Sequence, residues 1–120
     1  MVKATWTGIA VSDNRRLMHT RGRMIPNPAY IAFKEGMAWD LTGIKGGGGF
    51  CSMLGRVSVR LSCSLPVRMD VSAIVKAALD AIQLSGVILD DNQVDFLEVR
   101  RVGKAEGKTS TIVFEIDEIA

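Results

Sequence analysis

The sequence predicts an α+β domain in which two helices pack on a mixed β-sheet. Residues 56–65 alternate strictly between apolar and polar side chains, which is typical of a half-buried strand. Two other segments, 29–45 and 71–84, repeat apolar residues at helical spacing. The predicted order is strand, helix, strand, helix, strand, strand. At 120 residues the chain is expected to form one domain spanning 1–120.

The first third of the chain begins with a predicted strand at 4–11. A long polar, arginine-rich loop is expected at 12–28, where two prolines close it. The first helix is predicted from Ala29 to about Lys45. Gly46–Gly49 should end it, and because this run lacks the Lys-Ser/Thr of a phosphate loop, it is interpreted as a connector. The helical spacing is carried by Ile31, Ala32, Met37, Ala38, Leu41 and Ile44.

The central part of the chain contains the alternating strand and the second helix. Pro66 should end the strand, Asp70 has the chemistry of a helix N-cap, and Gly86 supplies the C-terminal stop. The strand's apolar face consists of Val57, Val59, Leu61, Cys63 and Leu65. The helix's expected buried stripe consists of Val71, Ile74, Val75, Ala78, Leu79 and Ile82.

Two more strands complete the prediction, at Val94–Val102 and Thr109–Asp117. The segment between them, 103–108, contains two glycines and is interpreted as a hairpin loop. Ile112, Phe114 and Ile116 are expected to face inward.

Composition excludes several classes of protein. Hydrophobic residues make up 48% of the chain and only three residues are proline, which argues against disorder. No segment approaches the ~18 apolar residues of a membrane span, and the N-terminus lacks a signal-peptide apolar region. We therefore expect a soluble, cytoplasmic protein without a membrane partner. Cys51 and Cys63 fit no metal or redox spacing, and His19 is a lone loop histidine.

The formal net charge is only +2, but the charges are unevenly distributed. Residues 1–34 carry one acid, Asp13, against the basic residues Lys3, Arg15, Arg16, Arg21, Arg23 and Lys34. Acids gather later, at Asp90, Asp91, Asp95, Glu98, Glu115, Asp117 and Glu118. This division can place a basic rim, which attracts phosphate, around an acidic pit that holds metal. Ordinary solvated surface is the alternative interpretation.

The most informative segment is 68–101. Asp70 opens the second helix, Lys76 and Asp80 lie on the helix's more polar side, and Asp90 and Asp91 occupy the following turn. From these residue types alone, Asp70 could be only an N-cap and Asp90-Asp91 only a polar turn. Convergence of Asp70 with Asp91 is permitted by the sequence but not established by it.

This segment resembles the RusA family of Holliday junction resolvases, whose pattern is D-x-D-N-x-x-K-A-x-x-D-A-L, an apolar pair, D-D and x-Q-V. The matching residues are Asp70, Lys76-Ala77-Ala78, Asp80-Ala81-Ile82, Leu89-Asp90-Asp91 and Gln93-Val94, without a gap. Arg100-Arg101 also fit. Upstream, Ser12, Asn14, Arg15 and Arg21-Gly22-Arg23 resemble the family's S-x-N-R and R-G-R loop.

The resemblance implies a metal-dependent endonuclease that resolves four-way DNA junctions in recombination and repair, often carried by phages. It implies that Asp70, position 72 and Asp91 bind Mg²⁺, with Mn²⁺ as the alternative ion, and that Lys76 assists catalysis. It further implies a homodimer, because two symmetric nicks need two sites related by a two-fold axis. The expected DNA-binding residues are Arg15, Arg16, Arg21 and Arg23.

One departure from the family pattern bears on activity. Position 72 is Ser72, so a neutral oxygen replaces an acid, and Asp90 or Glu98 would have to supply the missing charge. The leading hypothesis remains an endonuclease. The second is a catalytically weakened or inactive protein that binds branched DNA on the same scaffold. The third is a small α+β domain unrelated to DNA, in which Asp70 and Asp91 only cap and turn.

Overall fold

The computed structural model describes residues 1–47 and 52–119, and their side chains except those of 44–47. In chain order the regular elements are β1 (Val2–Gly8), β2 (Leu17–Thr20), β3 (Arg23–Pro26), α1 (Pro28–Gly47), β4 (Val57–Leu65), α2 (Val75–Ser85), β5 (Val94–Lys104) and β6 (Ser110–Glu118). Short 3-10 turns at Asp13–Arg15, Val71–Ile74 and Asp91–Gln93 precede β2, α2 and β5.

Four strands form the main sheet in the order β1-β6-β4-β5. β4 is central: it runs antiparallel to β6 and parallel to β5, and β1 is antiparallel to β6. The parallel pair is joined through α2, as parallel neighbours require a crossover connection. The predicted class, α+β with two helices on a mixed sheet, is confirmed.

The strict alternation of β4 places every second side chain in the core, as predicted. The buried residues of β4, β6 and β1 form one apolar cluster with the inner faces of both helices. The alternate side chains, among them Ser58, Arg60 and Ser62, face away from that cluster and are partly or fully exposed. One side of the sheet is therefore packed under helices and the other is polar and open.

The buried face of α1 differs from the predicted one. It is formed by Tyr30, Phe33, Met37, Ala38 and Leu41, whereas Ala32 is exposed. The reason is the contact with β1: the rings of Trp6 and Phe33 lie 4.9 Å apart. A Cβ at Gly36 would come within 3.0 Å of the Trp6 indole nitrogen, so glycine permits this close approach.

The second helix begins later than predicted, because Val71–Ile74 form a 3-10 turn before α2. Its buried face consists mainly of small residues, Ala77, Ala78 and Ala81, together with Ile82, while Val75 and Leu79 are half-buried. Gly86 ends the helix at φ 82°, the left-handed conformation expected of a C-terminal glycine.

The segment predicted as a loop at 12–28 contains a β-hairpin instead. β2 and β3 pair from Leu17 opposite Pro26 to Thr20 opposite Arg23. Arg21 and Gly22 form the turn, with φ of 51° and 76°, and two successive positive φ values match the twist of a tight hairpin. The sequence of this hairpin shows no alternating apolar pattern, because nearly all of its side chains are exposed.

The predicted hairpin between the last two strands is wrong. β5 and β6 do not pair with each other, because β4 lies between them. The chain crosses the end of β4, where the Ala105 amide donates to the Leu65 carbonyl at 3.0 Å. Of the residues expected to end α1, Gly46 and Gly47 belong to the helix, while Gly48 and Gly49 lie outside the described residues. Cys51 lies outside them as well.

Candidate functional site

A cleft of about 580 Å³ opens where the segment after β1 meets the loop after β4. Its walls come from two distant parts of the chain and the start of α1. They are Ile9, Ala10, Val11, Ser12, Asn14, Arg15, Asn27, Ala29, Pro66, Arg68, Met69, Asp70 and Ala73. The cleft therefore unites the residues of S-x-N-R with Asp70, which are more than fifty positions apart in sequence.

The first wall is a 3-10 turn fixed by hydrogen bonds. The Ser12 hydroxyl accepts from the Asn14 amide at 3.2 Å, and the Ser12 carbonyl accepts from the Arg15 amide at 2.8 Å. Asn27 stabilises the C-terminal end of this turn, because its side-chain amide donates to the Arg15 carbonyl at 2.8 Å. Arg15 is thereby held at the cleft while its side chain remains exposed.

Asp13 connects this turn to the second helix, a role that the sequence analysis missed. Its carboxylate accepts from the backbone amides of Lys76 at 3.0 Å and Ala77 at 3.2 Å, and from the Tyr30 hydroxyl at 2.8 Å. These amides belong to the first turn of α2, whose own preceding residue, Ile74, has no side-chain acceptor. A local sequence pattern cannot reveal a cap supplied from 63 residues away.

The hydroxyl of Tyr30 also takes part in the contact made by Asp13. Burial, and then the hydrogen bond to Asp13, raises the pKa of the Tyr30 hydroxyl well above its usual range. The phenol is therefore a fixed donor to Asp13. Together the two side chains join α1, the 3-10 turn and α2 at one point behind the cleft.

Asp70 lies at the cleft in extended backbone conformation, with φ −71° and ψ 147°. Its side chain makes no capping hydrogen bond, so the N-cap interpretation of this carboxylate is not supported. The loop before it is held by Arg101, which donates to the carbonyl of Leu65 at 2.9 Å and also to that of Met69. Asp70 is exposed and available to a ligand.

The neighbouring candidates are Ser72 and Lys76. Ser72 lies within the 3-10 turn and is exposed, and its hydroxyl has no hydrogen-bond partner in the described part of the chain. The Lys76 ammonium lies 3.8 Å from the Asp80 carboxylate, one helical turn along α2. Neither side chain lines the cleft.

Asp90 and Asp91 lie beyond the opposite end of α2. Asp90 caps the next 3-10 turn, with its carboxylate accepting from the Asn92 amide at 3.0 Å. Gln93 is buried beneath, where it accepts from the Asp90 amide and donates to the carbonyls of Met53 and Gly55. Asp91 is exposed. Its backbone amide donates to the Gln83 side chain at 3.2 Å, and its carbonyl accepts from the Val94 amide.

Asp70 and Asp91 are not brought together within one chain. The eleven residues of α2 separate them and rise about 16 Å, far beyond the reach of one ion's ligand shell. Within residues 1–47 and 52–119, no group of three or more acidic, histidine or cysteine side chains could hold a metal ion. Glu98 is likewise engaged elsewhere, in ion pairs with Arg60 and Arg100 on the open face.

The remaining predicted DNA contacts lie on and beside the hairpin. Arg21 occupies its turn and Arg23 the start of β3, and both are exposed. Arg16 is exposed just before β2. These three arginines therefore lie on the hairpin or directly before it.

Comparison with known families decides the assignment. The model of the family described as endodeoxyribonuclease RusA matches residues 8–113 of the 120 in the chain. The chain belongs to the RusA family. No curated protein matches it. The resemblance proposed from the sequence is confirmed, and both of its motif blocks lie within the matched range.

RusA membership gives the cleft a chemical context, that of a DNA endonuclease. The family's upstream loop and its first acid share one cleft here, and Asp13 fixes their relative position. Neither α1 nor α2 is long and apolar enough to cross a membrane, and the same holds for every helix in the described residues.

Proposed function

We propose that the protein is a metal-dependent endonuclease that binds and resolves four-way DNA junctions as a homodimer in recombination and repair. The observation that carries the proposal is the cleft, whose walls include the exposed carboxylate of Asp70 together with two arginines, Arg15 and Arg68. Arginine is well suited to DNA phosphate contacts, and a free carboxylate is a ligand that hard cations prefer.

The exposed arginines extend this surface beyond the cleft. Arg16, Arg21 and Arg23 continue the positive charge along the hairpin, so a DNA arm leaving the cleft would meet further phosphate contacts. We expect these residues to position the junction rather than to recognise bases, because a four-way junction differs from linear duplex DNA in its shape.

The carboxylates of Asp70 and Asp91 are suitable ligands for a hard metal ion, but within one chain they lie too far apart to bind the same ion. Asp90 already caps a turn, and Glu98 is ion-paired on the open face, which leaves Asp91 as the acid free to join Asp70. Since α2 holds Asp70 and Asp91 apart, we propose that each site combines Asp70 of one chain with Asp91 of a second copy. The homodimer is then required for the site and not only for two symmetric nicks.

When bound, Mg²⁺ or Mn²⁺ would lower the pKa of a coordinated water and offset phosphate charge. Asp70 and Asp91 would hold the ion, and Arg15 and Arg68 would hold the DNA phosphates. Lys76 would have to leave Asp80 to reach a phosphate, a move that a surface lysine makes at little cost.

A mixing experiment tests this arrangement. Asp70→Asn and Asp91→Asn chains should each be inactive alone on a four-way junction with Mg²⁺. Mixed at equal amounts, heterodimers would contain one intact site, restoring about a quarter of the native sites and giving single nicks. Glu35→Gln, which changes an exposed acid of α1, is the matched control and should cut at the parent rate. If the mixture stays inactive while both variants still bind junctions, the shared site is wrong.

Ser72 favours a second candidate function, a junction-binding protein with weak or no cleavage. A hydroxyl beside Asp70 contributes no charge to a metal site, so affinity for Mg²⁺ should be low. The two functions separate in one assay that measures binding and cutting of four-way and linear DNA, with Mg²⁺ and with Mn²⁺. Tight junction binding without cutting under either ion would favour the second.

A further inference from the structure

The edge of the sheet at β5 is long and exposed to solvent. β5 has eleven residues and pairs only with β4 among the strands of the described chain. Three of its apolar side chains are exposed: Phe96 by 44%, Leu97 by 40% and Val102 by 59%. The other edge, β1, has seven residues that alternate regularly between buried and exposed. An exposed apolar edge strand is a template for pairing with another strand.

The charges of β5 are divided between its two halves. Asp95 and Glu98 lie in the first half, and Arg100, Arg101 and Lys104 lie in the second. A strand with this pattern is complementary to an antiparallel copy of itself, because the acidic half of each copy lies opposite the basic half of the other.

We infer that β5 pairs antiparallel with β5 of a second copy of this chain, about a two-fold axis at Val99. This register places Glu98 of each copy opposite Arg100 of the other. The regular part of β5, between bulges near Asp95 and Val102, contains the central pairs. The two four-stranded sheets then form one continuous sheet.

Other registers about a two-fold axis are disfavoured by charge. Residues directly opposite in antiparallel strands share a face, so under two-fold symmetry one residue must lie opposite its own copy. Centring the pair on Glu98 places two carboxylates together, and centring it on Arg100 places two guanidiniums together. Of these three centres, only Val99 forms opposite-charge pairs without placing a charged side chain opposite its own copy.

This inference rests on the proposed homodimer and identifies its surface. β5 begins three residues after Asp91 and ends beside the loop that leads to Asp70, since the amide of Ala105 bonds to Leu65. Antiparallel pairing therefore brings the turn with Asp91 of one copy to the end of the sheet that carries Asp70 of the other. Pairing centred on Val99 is therefore compatible with the proposed site shared between two copies.

Charge reversal tests the interface without DNA. Glu98→Arg and Arg100→Glu each place like charges across the axis twice, so each variant alone should be monomeric, with the dimer Kd raised on the order of tenfold or more. Mixed together, they should form a one-to-one heterodimer, because every cross-axis pair is again of opposite charge. Light scattering measures the masses, and circular dichroism confirms folding.

A cysteine at the axis tests the register independently. Val99→Cys in a Cys51→Ser background should form an intermolecular disulfide on mild oxidation, because directly opposite Cα atoms lie about 4.5–5.5 Å apart, within disulfide range. Thr5→Cys, exposed on the other edge strand, is the matched control and should remain monomeric on a denaturing gel. A native chain that is monomeric, charge variants that stay dimeric, or a Val99→Cys chain that does not cross-link faster than the control would each overturn the inference. Junction cleavage by the native chain, measured separately, shows whether the proposed function survives.

Discussion

Asp13→Ala is expected to destabilise the protein far more than an ordinary substitution in a surface loop. The change removes the acceptor of two amides in the first turn of α2 and of the Tyr30 hydroxyl. Loss of a helix cap costs about 0.5–2 kcal/mol. Leaving the buried phenol without a partner costs about 1–3 kcal/mol more. The free energy of unfolding should thus fall by roughly 2–4 kcal/mol, and Tm on the order of 10 °C.

Urea and thermal unfolding followed by circular dichroism measure this effect. Tyr30→Phe is the matched control, because it removes the phenol but leaves the cap. In that background Asp13→Ala should cost only the cap contribution, about 0.5–2 kcal/mol. The same variant should also bind junctions more weakly, since Asp13 positions the turn that carries Arg15. An Asp13→Ala protein with a free energy of unfolding within about 0.5 kcal/mol of the parent would refute the assigned role.

Three further predictions concern Tyr30, Ser72 and the arginines near the cleft. Tyr30 is the only tyrosine in the chain, so any tyrosinate absorbance comes from this residue. Because burial and the hydrogen bond to Asp13 raise the pKa of its hydroxyl, tyrosinate absorbance should appear only when alkali unfolds the protein. The stability that protonated Tyr30 contributes is intact below the ordinary pKa of about 10 and falls as pH rises above it, a loss that Tyr30→Phe should lack. Ser72→Asp should raise Mg²⁺-dependent cutting by adding a charged ligand near Asp70; unchanged cutting in a folded, junction-binding variant would exclude Ser72 from the metal shell. Replacing four arginines together by alanine (Arg15, Arg16, Arg21 and Arg23) should weaken junction binding and flatten its salt dependence. An unchanged dependence of binding on salt would show that these arginines do not contact DNA.

Two errors in the fold prediction have a common cause. The sequence predicts a loop where β2 and β3 form a hairpin, and it predicts a hairpin between β5 and β6, which do not pair. Sequence periodicity reports which side of an element is buried, but not which strand lies beside it. Here β4 separates β5 from β6, because the crossover through α2 places β5 parallel to β4 on one side while β6 pairs on the other.

The sequence by itself determined the elements whose signals are local. The alternation of β4 fixed its buried face, Gly86 fixed the end of α2, and the spaced residues around Asp70 and Asp91 identified the family. Only the tertiary structure decided which of these residues meet. It joined Ser12 and Arg15 to Asp70 in one cleft, because the turn after β1 packs against the start of α2. It separated Asp70 from Asp91, because a helix about 16 Å long lies between them. The spacing of residues in a sequence motif does not give this distance in space.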